Sequence, residues 1–155
     1  MLSFTSSLSR DSEAFAIFVT EKYDFKDKNG ILSKDIVHKI NSFLETFRKK
    51  NKEEEISSLD ISSNKKCFII KVKNKYENYY PEEIGGTFFS YIKKFKNIHS
   101  IDLYLDSIEK NKDKSKKFFS EFIFGFNLKN YTFDKYKTLN KEKLNSKINN
   151  KIITS

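Results

Sequence analysis

The stretch "KKFFSEFIFGFNLKNYTFDKYKT", Lys116 to Thr138, holds two hydrophobic patterns in succession. Phe118, Phe119, Phe122, Ile123 and Phe126 fall at i, i+1, i+4, i+5 and i+8, which is one face of a helix. The spacing predicts a helix from about Asp113 to Leu128 with its rings in a core. Past that point Tyr131 and Phe133 alternate as a strand would, and Tyr136 breaks the alternation. All three are interleaved with Lys129, Lys135 and Lys137. A base-stacking platform would need these aromatics exposed on a sheet or groove. Following a core helix, they are expected to be buried instead, in two short closing strands.

Working outward, residues 99–105, "HSIDLYL", read as a strand. Before it, Pro81 with Glu82 and Glu83 starts a helix that runs to about Phe95. Its apolar face is Ile84, Phe88, Tyr91, Ile92 and Phe95. A strong strand at 67–73 is expected to pair with a weaker one at 56–61. Ser33 can cap a helix through about Lys50, striped by Ile36, Val37, Ile40, Phe43, Leu44 and Phe47. "DKNG" at 27–30 is a turn, and residues 14–20 are a further strand. There is no repeat and no Gly/Ser linker. Strands alternating with helices predict an α/β layered domain with a partly parallel sheet.

The 155 residues fit one domain, and 16 Phe with 37% hydrophobic residues can bury a substantial core. No apolar run approaches the roughly 18 residues of a membrane span. The start "MLSFTSSLSRDSEAF" lacks the basic, apolar and small-residue regions of a secretory signal. Cys67 is alone, inside "CFIIKV", which excludes an intrachain disulfide and predicts a buried, inert thiol. A cytoplasmic protein is expected. The net charge of +9 comes from Lys, since Arg10 and Arg48 are the only arginines. Together with the wealth of Asn, Ile, Phe and Tyr, this is what an AT-biased genome encodes. Lys is a hydrated point charge without the bidentate fork that reads phosphate and guanine, so weak, non-specific attraction to nucleic acid is the expectation.

Chemistry is sparse. His38 and His99 lie on separate elements, and no His/Cys/Asp/Glu cluster has metal-ligand spacing. There is no P-loop, dinucleotide fingerprint or G-x-S-x-G. Gly85 and Gly86 sit near a helix N-terminus, where backbone N–H groups can hold an anion. Paired glycines one turn into a helix more often allow close packing, here expected against a strand. The carboxylate pairs Glu82/Glu83 and Asp24/Asp27 read as solvated charge in polar turns. No catalytic, cofactor-binding or metal-binding residue is assigned.

The pattern Gly125, Leu128, Tyr131, Phe133, Tyr136, Lys137 resembles the segment closing the N-terminal domain of the leucyl (cytosol) aminopeptidase family. "KKCFIIKVKNK" is similar to that domain's strand ending in a Gly-rich turn, and "EEIGGTFFSYIKKFKNIHSIDLYL" to its following helix and strand, so the likeness spans roughly residues 12–138. Phe124 stands where the family usually has Glu. The resemblance implies a macro-like α/β fold, a three-layer domain with a mixed sheet flanked by helices, over residues 1–138. Residues 139–155 would begin the linker to a catalytic domain absent from this chain. It further implies no cofactor in this chain, two divalent metals (zinc or manganese) in that missing C-terminal domain, and a parent that releases N-terminal amino acids from peptides. This domain would then pack on the catalytic domain and on neighbouring subunits of a homohexamer. Two other functions are open: a nucleic-acid-binding module acting through Lys-rich surfaces, and an ADP-ribose-type pocket suggested by the fold alone.

Overall fold

The computed structural model describes residues 2–5, 12–50, 53–107, 112–137 and 149–153. The chain divides into two compact units. The first carries the sheet. Its strands are β1 (Leu2–Thr5), β2 (Ala14–Val19), β3 (Ile56–Ser62), β4 (Lys65–Lys71), β5 (Ser100–Tyr104) and β6 (Asn149–Ile153). Helix α1 (Lys34–Lys49) and a 3-10 turn, Leu105–Ser107, belong to it as well. The second unit consists of α2 (Tyr80–Ile92) and α3 (Lys112–Lys137) with their flanking segments.

The strand order is β1-β6-β5-β2-β4-β3. Every neighbouring pair is parallel except β3 and β4. Strand β2 lies in the middle and all six of its residues are buried, as a parallel strand covered on both faces requires. One face of the sheet supplies Phe15, Ile17, Val19, Cys67, Ile69 and Tyr104 to a core completed by Ile40, Leu44 and Phe47 of α1. The helix forms as its sequence directs. The Ser33 hydroxyl accepts the Ile36 amide, Asp35 lies in the first turn, and Arg48 and Lys49 close the last.

Three expectations change. Residues 129–137 are not strands; α3 continues without interruption to Lys137. Strand β1 was not anticipated. Residues 149–153, which fall in the expected linker, form β6 between β1 and β5. Leu2 pairs with Asn150 and Ser100 with Asn149, so the sheet takes strands from close to both ends of the sequence.

Candidate functional site

In open α/β sheets ligands enter outside the carboxyl ends of the strands, where the chain departs in opposite directions from neighbouring strands. Here that place lies beside the end of β2, with β4 on one side and β5 on the other. Its groups are bonded to one another. The Ser107 hydroxyl accepts the Phe18 amide at 2.8 Å and donates to the Tyr104 carbonyl at 2.7 Å. The Val72 amide donates to the Val19 carbonyl, and the Asn74 side chain to Glu21. Asp27 is not the solvated turn charge expected of it. Its carboxylate accepts the Tyr104 hydroxyl at 2.6 Å and the amides of Ile31 and Leu32, which fixes the loop leading to α1. Asp24 stays exposed, facing Arg48 at 3.6 Å.

Tyr23 takes a left-handed backbone, φ 58°, unusual for a side chain this large. Its hydroxyl donates to the Glu54 carbonyl, its ring meets Phe47 at 5.4 Å, and the Lys71 ammonium sits 4.9 Å above it. These partners hold the strained conformation in place. A phosphate cradle would need a run of glycines here to present successive backbone amides. The chain has only four glycines, and Gly30 alone lies in these loops.

The opposite end of the same strands carries a second polar network. Ser12 donates to Asp102 at 3.0 Å, and Lys65 donates to Ser12 at 3.2 Å. Glu13 accepts the Ser100 amide at 2.8 Å and the Ser100 hydroxyl. Burial by itself would raise the Glu13 carboxyl. Hydrogen bonds from the Ser100 side chain and from the backbone of residues 13, 99 and 100 outweigh it and hold the carboxyl below its ordinary range. A serine beside a lysine is a nucleophile-and-base pairing in some hydrolases. Ser12 is only 5% exposed and gives its proton to Asp102, so the arrangement clasps the starts of β2, β4 and β5 rather than meeting a substrate.

His38 and His99 are exposed on α1 and ahead of β5, and among the described residues no cluster suits a metal ion. Cys67 is buried, and burial pushes its thiol well above the ordinary range.

The second unit looks different. Phe88 lies 5.9 Å from Phe122 and 6.0 Å from Phe126, Phe89 meets Phe126 edge-on at 5.2 Å, and Phe118 meets Phe119 at 5.4 Å. Two glycines set how closely α2 and α3 approach. A Cβ on Gly85 would stand 2.1 Å from the Phe122 carbonyl oxygen, and one on Gly125 would stand 2.0 Å from that of Glu82. The expected close packing at Gly85 is therefore real, but its partner is a helix and not a strand. Gly86 faces a shallow groove along the pair, walled by Glu82 and Glu83 on one side and Leu128 and Lys129 on the other.

The outward face of α3 is apolar in part. Phe124, Leu128 and Tyr131 are 56%, 51% and 68% exposed. At 3.6 residues per turn they fall within about 60° of arc, roughly opposite the core rings. The expected burial of Tyr131 is thus overturned; Phe133 and Tyr136 have side chains outside the described residues. Had the 3.6-residue period been carried past Gly125, the spacing 124, 128, 131 would have shown this second stripe in the sequence.

No protein-family model matches the chain, and no curated protein does. Solved structures do. The macrodomain of Thermus aquaticus DarG matches with a TM-score of 0.66 at 11% identity, over 100% of this chain and 99% of that one. The macrodomain of Mycobacterium tuberculosis DarG matches at 0.67 and 12% identity, with 100% and 99% covered. A tomato leucine aminopeptidase mutant matches at 0.68 and 13% identity over 99% of this chain. This chain spans only 32% of that aminopeptidase. The likeness establishes the fold: an α/β domain of the macro-like kind. As for membranes, no helix among the described residues is long and apolar enough to cross one.

Proposed function

We propose that this domain is a non-catalytic module of a leucyl-aminopeptidase-like metallopeptidase, serving packing and subunit assembly in a cytoplasmic parent that releases N-terminal residues from peptides. One observation carries the reading. The exposed large hydrophobics among the described residues are Tyr76, Tyr79, Phe124, Leu128 and Tyr131, and all five belong to the helical unit. Three of them, Phe124, Leu128 and Tyr131, share one face of α3, and apolar side chains gathered in this way mark a surface that another protein covers. The likeness to one third of a leucine aminopeptidase supports the assignment to a larger enzyme. In this reading the two metals would be held by the parent's catalytic domain; among the described residues no His/Cys/Asp/Glu group could hold a metal ion.

A second reading has a specific observation in its favour. Tyr131 is exposed, as a stacking surface for nucleic acid requires. Against it, Leu128 stands in the middle of the stripe, and a branched aliphatic side chain offers no face for stacking. An ADP-ribose-type pocket finds no glycine-rich loop to hold its phosphates. The test of the leading reading is hydrolysis of a chromogenic leucyl amide by the purified chain with zinc or manganese added. No release is expected, and metal-dependent release by protein free of host peptidases would overturn the reading.

A further inference from the structure

We infer that the outward face of α3 pairs with the same face of a second copy of this chain about a two-fold axis. The inference rests on the reading of that face as protein-covered, and names its occupant. A two-fold contact needs a patch that complements itself, so that each residue i meeting a residue j is repeated as j meeting i. The helical unit has such a patch. Its ridge is Phe124, Leu128 and Tyr131, an aliphatic side chain with an aromatic about one turn to either side, roughly 10 Å along the helix. Laid antiparallel, such a ridge sets Leu128 against its own copy and each Phe124 toward the other chain's Tyr131.

Beside the ridge runs its counterpart. The groove has small residues on its floor, Gly86 and Gly125, and Leu128 belongs to both ridge and groove. A ridge next to a groove on one surface interlocks with its own image, because side chains of one helix settle between those of the next. The charges agree. One wall of the groove is acidic at Glu83 and the other carries Lys129, so the two-fold brings Glu83 of each chain toward Lys129 of the other. Opposing this, each copy bears a net charge of +9. The patch is also small beside the roughly 1,200–2,000 Å² of stable interfaces. The pairing is therefore reversible, and salt that screens the repulsion strengthens it.

Sedimentation equilibrium of the full chain across a concentration series, at low and high sodium chloride, tests this. Expected is a monomer–dimer equilibrium that tightens with salt. Phe124→Glu should weaken it by about tenfold or more, with an unchanged circular-dichroism melt. Glu83→Lys and Lys129→Glu should each weaken it, and the double variant should restore it, which a purely structural effect of either change would not do. A chain that stays monomeric at every concentration overturns the inference, as does a dimer indifferent to all three positions. Binding of an apolar fluorescent dye separates the two levels of the argument. A monomer whose dye binding depends on Phe124 keeps the covered face and loses the second copy; a monomer with no such dependence loses both. A monomer that takes up a single-stranded oligonucleotide through Tyr131 assigns the face to nucleic acid instead.

Discussion

The sheet unit and the helical unit bury aromatic side chains equally well but treat their surfaces in opposite ways. In the sheet unit the polar groups at both strand ends are consumed internally. Asp27 takes the Tyr104 hydroxyl, Ser107 takes the Phe18 amide, Asp102 takes Ser12, and Glu13 takes Ser100. None of the exposed large hydrophobics among the described residues falls there. In the helical unit one face of α3 is filled with phenylalanine and the other still shows Phe124, Leu128 and Tyr131 to solvent. The difference teaches that the exposed large hydrophobics among the described residues gather in the helical unit.

The largest expected effect concerns the inner face of α3. Phe122 is fully buried, so Phe122→Ala should cost about 3–5 kcal/mol in denaturant melts. A near-neutral result would mean that the helical pair is held by something other than its rings. Next comes Gly125→Ala. Its new methyl meets the Glu82 backbone, which cannot swing aside as a side chain would, and a loss of about 1–3 kcal/mol is expected. If the change is silent, the two helices cross farther apart than described.

A smaller effect probes the sheet unit. The Glu13 carboxyl is held below its ordinary range, so its contribution is present above the unfolded value of about 4.3 and is lost as the pH falls through the lowered folded value. Ser100→Ala removes the leading bond that lowers it. Melts compared between about pH 6 and pH 3 should show the variant losing less stability on acidification than the parent sequence. Equal losses would show that the Ser100 hydroxyl does not set the titration of Glu13.

Much of this was legible in the sequence. The Ser33 cap and the stripe from Ile36 to Phe47 lead directly to α1, and the inner phenylalanines of α3 lie where their spacing puts them. What escaped has local causes. Tyr131 and Phe133 imitate strand alternation, yet neither Pro nor a further Gly follows Gly125 to end the helix. Gly125 itself, which resembles a helix terminus, is a contact point between two backbones, and only the partner chain segment reveals that. Strands β1 and β6 are short, and "NNKII" is half polar; pairing in the sheet, not propensity, makes it a strand. The exposed apolar stripe was missed for the same reason as the helix end, because a stripe opposite a core appears only once the helix is known to continue.

The central claim, that the outward face of α3 receives protein, is tested most directly by titrating labelled single-stranded and duplex DNA with the full chain and with Tyr131→Ala at several salt concentrations. A stacking site would make Tyr131 worth about 1–3 kcal/mol per base. The account predicts only diffuse binding, around 10⁻⁴–10⁻⁶ M near physiological salt, falling steeply as salt rises and unchanged by the substitution. Submicromolar binding that survives physiological salt and is lost in Tyr131→Ala, with the fold intact, would contradict it.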